Sequence, residues 1–358
     1  MKVVLLAPLP PPSGGIASWA KRMKTAKLKN GWSTVIVDEK VIGGRDIFGA
    51  NTRKSILVEV KRSLKIWSDL WKALNDKDVK IVHSSIPAGF TGMLREIICA
   101  FISKVRGRKF VIHYRCTIPN MVKGKKVKLV FKVLTNLSDA SIVLNTPSEK
   151  FVEKHSKTPA QLIPNFVSAI ETNSTTSSVQ NIKYNCRALY VGGVIEEKGC
   201  LDIIKAAKKL KEVEFRLVGA IAPEIKNIKI PENVILCGET DRQGVQRELA
   251  KADIFLFMSY FYGEGFSNAL AEAMATGLPC VVSDWAANAD MIENKGGFIV
   301  PVHDVEGLCN GIEALIRSEQ LREQMGKWNI KKVNRAYSQE EVTSQYVELY
   351  ERIINYNR

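Results

Sequence analysis

Residues 262–284 read YGEGFSNALAEAMATGLPCVVSD, and this stretch decides how the rest of the chain is understood. It places two carboxylates, Glu264 and Glu272, with seven residues between them. Gly263 and Gly265 flank the first and give a tight turn where backbone can come close to a ligand. Ser267 or Asn268 can cap the helix that follows, and Ala269 to Ala275 are strong helix formers. Gly277 and Pro279 stop that helix, and Cys280 to Ser283 reads as a buried parallel strand. A glycine turn feeding a helix N-terminus presents N–H groups and the positive end of a dipole, which suits a phosphate. Glu272 then lies one to two turns into the helix, where a carboxylate can accept hydrogen bonds from a diol. Phosphate and diol together describe a nucleotide and its ribose. Two glutamates eight apart also occur as ordinary solvated helix surface, so the frame around them carries the reading.

Working outward, strands alternate with helices along all 358 residues, as in two parallel-sheet α/β domains. Strands are expected at Lys2–Ala7, Ser33–Val37, Val79–His83, Lys109–His113 and Ala140–Leu144 in the first half. The second half opens with RALYVGGVIEEKGC from Arg187, followed by strands at Glu214–Gly219, Asn233–Gly238 and Asp253–Ser259. Gly14 and Gly15, between the first strand and first helix, occupy the phosphate-approach position of doubly wound sheets. The run Arg53–Leu74 has apolar residues at helical spacing with basic residues among them; a core-packed amphipathic helix is the ordinary reading, membrane-surface contact the other. Residues 168–181, SAIETNSTTSSVQN, have a linker's composition. The domains are therefore expected at 1–167 and 183–338, joined by 168–182, with 339–358 a final helix expected to cross back to the first domain.

Charge is distributed unevenly. Residues 1–165 carry 30 Lys and Arg against 11 Asp and Glu, a balance of +19, whereas residues 166–358 carry 22 against 26. A basic half points to a polyanionic partner, either nucleic acid or an anionic membrane surface. The dense clusters are RGRK at 106–109 and KGKKVKLVFK at 123–132. They hold few aromatics for base stacking and belong to no nucleic-acid module, so a membrane surface is expected and nucleic acid is not. The candidate contacts are Arg106, Arg108, Lys109, Lys123, Lys125, Lys126 and Lys128, with Trp67 and Trp71 as apolar anchors. No apolar run reaches the length of a membrane span. Seven scattered cysteines without a C-x-x-C pair argue for a reducing compartment and against a zinc site or disulfide framework. The expected location is the cytoplasm, peripherally at the inner face of the cytoplasmic membrane.

The stretch 262–284 resembles the E-x7-E signature of the family 4 retaining glycosyltransferases, which have the GT-B fold, two Rossmann-like domains facing each other across a cleft. The resemblance covers most of the chain, most strongly residues 189–199 and 262–284. It implies a hexose or N-acetylhexosamine moved from a nucleotide diphosphate sugar to a glycan or lipid-linked acceptor, as in bacterial polysaccharide and lipopolysaccharide assembly. It implies retention of anomeric configuration and no metal or other cofactor. Glu264 would touch the transferred sugar, His113 would lie near it, and Lys198 would neutralise the diphosphate. Gly14 and Gly15 would face the donor phosphates, Gly238 and Glu239 the base, and Gly265, Phe266, Ser267, Asn268 and Glu272 the remaining donor surface. His83 is read as structural. EGFSNALAEA, with Asn268, looks more like users of UDP-sugars. One position departs: Gly193 stands where the family has the arginine that shares the diphosphate with Lys198. That departure keeps open a scaffold without catalysis, and a GT-B epimerase or phosphorylase is the alternative enzyme class.

Overall fold

The computed structural model describes residues 1–11, 14–40, 56–167 and 184–355. The expected linker 168–182 lies outside the described residues, as do 53–55 of the expected first-half helix. The chain divides into two compact units, Met1–Asn165 with Gln339–Arg358, and Phe166–Ser338.

The first unit is built on β1 (Lys2–Ala7), β2 (Ser33–Asp38), β3 (Val79–Ile86), β4 (Lys109–Tyr114), β5 (Ala140–Val143) and β6 (Ala160–Leu162). Their order is β2-β1-β3-β4-β5-β6, with every pairing parallel. Parallel strands need helical crossovers, and helices on both faces leave the strands buried throughout. That is why VVLLA in β1 and FVIHY in β4 are uninterrupted buried runs. The chain reverses its winding between β1 and β3, which makes a crevice at the carboxyl ends of those strands. Two details differ from the sequence reading. Strand β3 runs on to Ile86, so His83 lies inside it and not at its end. Strand β6 is a half-buried edge of three residues, too short for a periodic signal.

The second unit contains β7 (Cys186–Val191), β8 (Val213–Val218), β9 (Val234–Gly238), β10 (Ile254–Phe257), β11 (Cys280–Ser283) and β12 (Gly297–Val300). The order is β12-β11-β10-β7-β8-β9, again all parallel, so the winding reverses between β7 and β10. This is the strand order of dinucleotide-binding sheets, and ligands of such sheets sit outside the strand ends at the reversal. Strand β12 was not expected from sequence; its four residues open on Gly297, directly after Gly296.

The C-terminal helix Gln339–Asn355 belongs to the first unit and buries Tyr346 and Tyr350 there. Tyr350 Oη bonds His83 Nδ1 at 2.6 Å, and His83 Nε2 meets His113 Nδ1 at 3.1 Å. Trp19, from the helix Gly15–Thr25, packs its ring 5.3 Å from His83 and 5.9 Å from His113. Next to Tyr350 on the C-terminal helix, Glu351 accepts from Trp32 Nε1 at 3.2 Å.

Removing the Tyr350 hydroxyl leaves a buried imidazole nitrogen without its partner. Tyr350→Phe should therefore cost about 1–3 kcal/mol in urea unfolding of the first unit, whereas a loss below the error of the measurement would mean the contact is idle.

Stability should also depend on pH. Burial, followed by the Arg115 charge, holds both His83 and His113 well below their usual range, so both are neutral when folded. Unfolded, each takes up a proton near pH 6.5, so below that pH the unfolded state gains protons and stability falls. Glu39, in the same unit, runs the other way: burial, then Glu96, raises it well above its usual range, and the folded state keeps a proton that the unfolded state loses. Two imidazoles against one carboxyl leave stability falling as the pH drops below roughly 6.5. Urea midpoints across that range test the slope, and a flat profile contradicts it.

Candidate functional site

In the second unit the reversal between β7 and β10 brings two sequence-distant loops together. The chain leaves β7 through Gly192 and Gly193, makes a short turn at Glu196–Lys198, and enters the helix Cys200–Lys209. Gly199 joins turn and helix in the left-handed region, at φ 76°. A Cβ there would lie 2.2 Å from the Met258 carbonyl oxygen, so only glycine allows this approach to the end of β10. The contact is fastened by Tyr260 N–H donating to the Glu197 carbonyl at 2.9 Å.

Lys198 thereby reaches Glu264, sixty-six residues on, and its Nζ forms an ion pair with the carboxylate. Ser259 Oγ donates to the same carboxylate oxygen at 3.2 Å, and the ammonium lies 4.8 Å from the Phe261 ring centroid. Trp285 Nε1 holds the Phe261 carbonyl at 2.8 Å and so steadies the loop from the other side. Both charges are largely withdrawn from water, with side chains 20% and 11% exposed, so each depends on the other for its solvation. Of the two possible caps, Ser267 is the one used: its Oγ accepts from Leu270 N–H at 3.2 Å, and Asn268 is the first residue of the helix Asn268–Ala275. Gly265 and Phe266 are buried beneath this turn, and Glu272 is half-buried on the helix. Gly238 ends β9 at φ 73°, its carbonyl accepting from Gly219 N–H at 2.8 Å. Glu239 follows, exposed, two strands along from β7. Gly193 has room: a Cβ built there meets nothing within 4 Å.

The other candidates lie in the first unit. His113 is fully buried, paired with His83 and walled by Trp19 and Tyr346. Arg115, two residues on, donates to Ser85 Oγ at 2.6 Å and stacks 4.0 Å over Trp19. Gly14 and Gly15 are exposed at the start of the helix Gly15–Thr25 and line a cavity of about 660 Å³ with Glu39, Arg62, Trp67 and Arg95. Within it, Arg95 bridges buried Glu39 at 3.4 Å and buried Glu96 at 2.9 Å. The structure thus gathers Lys198, Glu264 and the 265–272 segment in one unit, and His113, Gly14 and Gly15 in the other.

The basic candidates separate too. Arg106 caps the Leu74 carbonyl and bonds Asn75, lying 4.8 Å over Trp71. Arg108 donates to the Asp76 carbonyl, and Lys109 pairs with Asp139 at 3.3 Å. Lys123, Lys125, Lys126 and Lys128 are exposed. Trp67 faces the cavity, while Trp71 is exposed. Sequence reading missed Ser259, Phe261, Arg115 and the Glu39–Arg95–Glu96 group, none of which carries a local spacing signal. Among the described residues no three His, Cys, Asp or Glu side chains gather as a metal set.

Comparison with known proteins agrees with this geometry. Residues 185–318 match the family model for glycosyl transferases group 1. An N-acetyl-alpha-D-glucosaminyl L-malate synthase of Bacillus anthracis is 28% identical over 45% of this chain and 44% of its own length. A UDP-Gal:alpha-D-GlcNAc-diphosphoundecaprenol alpha-1,3-galactosyltransferase of Escherichia coli is 25% identical over 71% of each chain. The chain thus spans less than half of the first relative and about seven tenths of the second. The structure of sucrose-phosphate synthase from Thermosynechococcus elongatus superposes with a TM-score of 0.77 over 99% of both chains at 16% identity, a likeness of fold. Two parallel six-stranded sheets, a lysine and a glutamate joined at the second sheet's reversal, and the match over 185–318 agree: that segment is similar to the group 1 glycosyltransferases, and the chain has the GT-B fold.

Proposed function

We propose that the chain is a retaining transferase that moves a hexose or N-acetylhexosamine from a UDP-sugar to a lipid-linked glycan. The observation that carries this is the Lys198–Glu264 pair, held at the β7/β10 reversal inside the segment that matches the family. A diphosphate at the N-terminus of the helix Asn268–Ala275 would meet oriented N–H groups, with the Lys198 ammonium beside it. Both are fixed before the reaction, so they stabilise the charge that builds on the leaving group without reorganising. Glu264, already oriented by Ser259 and Lys198, would accept from hydroxyls of the transferred sugar. Glu272 would hold the ribose, and the base would lie toward Gly238 and Glu239. The donor and acceptor classes are supported by the Escherichia coli relative, whose name gives UDP-Gal and a diphosphoundecaprenol-linked sugar. That relative is also named an alpha-transferase, and an α-linked product from an α-linked nucleotide sugar is retention. His113, neutral and buried behind the strand ends, would act by shaping the wall near the sugar and not by exchanging a proton.

The roles separate by substitution. Glu264→Ala should reduce turnover far more than nucleotide affinity, because its contact is with the reacting sugar. Glu272→Ala should weaken donor binding by about 1–3 kcal/mol, the range for unpairing a buried hydrogen-bonding group. Lys198→Ala should weaken UDP-sugar far more than uridine. Calorimetric titration with both ligands, beside initial rates, checks each role, and equal losses for uridine and UDP-sugar would reduce Lys198 to a fold-supporting residue.

Thermal shift with UDP-, GDP- and ADP-sugars identifies the donor, since a ligand of the native state raises its apparent stability. UDP-sugars should give the largest shift. Labelled sugar should then pass to a lipid-linked acceptor without added phosphate and in the presence of chelator. Epimerised donor without transfer, or a strict Mg²⁺ requirement, would overturn the proposal.

A further inference from the structure

The first unit carries an unusual surface on three adjoining helices, Ile56–Ala73, Phe90–Val105 and Lys125–Leu137. The middle helix exposes Phe90, Leu94, Ile98, Phe101 and Val105, with Phe101 63% accessible. Their spacing of four, four, three and four places all five on one stripe. On one side the stripe continues onto Leu57, Leu64 and Trp71, and on the other onto Leu129 and Val133, all exposed. Across the whole described second unit the exposed large apolar side chains are only Ile235, Tyr262 and Ile330. An apolar face of this extent on one unit needs a partner.

Its charge identifies the partner. Lys125, Lys126, Lys128 and Lys132 share the solvent face of their helix with Leu129 and Val133, and the helix KKVKLVFKVLTNL has no acidic residue. Lys61, Lys65 and Lys72 are exposed along the opposite border. On that helix Asp69 is paired with Lys65 and Glu59 with Arg62, and on the middle helix Glu96 is buried beneath Arg95. An apolar centre between two lysine borders is the arrangement that seats an element in an anionic bilayer surface: side chains enter the acyl boundary while ammonium groups meet phosphates. A second copy of this chain would set lysine border against lysine border. The cavity that holds Glu39 and Arg95 is walled by the first turns of the same two helices, at Ile56, Val60, Thr91 and Gly92.

We propose that these three helices form a membrane-docking face, with the Phe90–Val105 stripe inserted among the lipids of an anionic bilayer. It deepens the acceptor reading above by stating where a lipid-linked glycan is met. It differs from contact through charge alone, because Arg106, Arg108 and Lys109 are engaged by their own unit and the apolar stripe lies at the centre.

The test is sedimentation with vesicles of phosphatidylcholine containing phosphatidylglycerol, against phosphatidylcholine alone, at low and high salt. The protein should sediment only with the anionic vesicles and less at high salt. The Leu94→Ser/Phe101→Ser variant should bind at least tenfold more weakly, and the quadruple Lys→Gln variant at 125, 126, 128 and 132 should show a weaker salt dependence. Ile235→Ser, on the other unit, should bind as the parent does. Vesicles with brominated acyl chains should quench Trp71, and Trp71→Phe should remove that component. Binding undiminished in Leu94→Ser/Phe101→Ser, or no sedimentation at low salt, overturns the proposal. A parent dimer that this double variant converts to monomer, without vesicle binding, would assign the face to self-association and overturn it as well. Thermal shift with UDP-sugar on the same variants should match the parent, so loss of docking is read separately from failure of the transfer reading.

Discussion

The loop leaving β7 is pressed backbone to backbone against its neighbours, and the arrangement of the second unit follows from that contact. At Gly199 a side chain would collide with the Met258 carbonyl, and at Gly219 a Cβ would stand 1.9 Å from the Gly192 carbonyl oxygen. Glycine is demanded at these places because the parallel strands β10, β7 and β8 end side by side, and their loops must share one small volume. Once the approach is made, Lys198 has little choice of position: its ammonium is bounded by Phe261 and Glu264. A charge withdrawn from water in this way is tolerated only with its counter-charge in place, so the pair is organised before any ligand arrives.

The first unit is governed by a different constraint, the burial of polar rings. His83 and His113 stand on adjacent strands and cannot both be charged beside Arg115, so they remain neutral and bond to each other. The last partner in that row is Tyr350 of the C-terminal helix, which is what ties the end of the chain to the first unit's sheet. A buried histidine within a strand thus serves packing and polarity together. Any part it has near a sugar is played as a neutral group.

Exposed chemistry in the same unit is the counterpart of that buried layer. The helices that cover the sheet have an inner face of Leu70, Met93 and Phe131 and an outer face that is also apolar, edged with lysine. The inner face follows from the sheet's need for cover, whereas the outer face has no explanation in folding.

Much was legible in the linear chain because the signals were local. Buried apolar runs marked ten strands, glycine and proline bounded the helix Asn268–Ala275, and the spacing of Glu264 and Glu272 with Lys198 upstream singled out the candidate site. Strands β6 and β12, of three and four residues, were too short to stand out, and β3 outran its expected end because its last residues, Ser84 and Ser85, are polar though buried. The contact between Lys198 and Glu264, the joining of Ser259 to it, the pairing of His83 with His113, and the sorting of lysines into bonded and exposed ones were decided by tertiary structure alone. The reason is physical: helix and strand periods are set by neighbours a few residues apart, but side chains converge only after crossovers choose which strands lie together. Composition by itself determined that one half is basic; the packing of three helices determined which of those charges face outward.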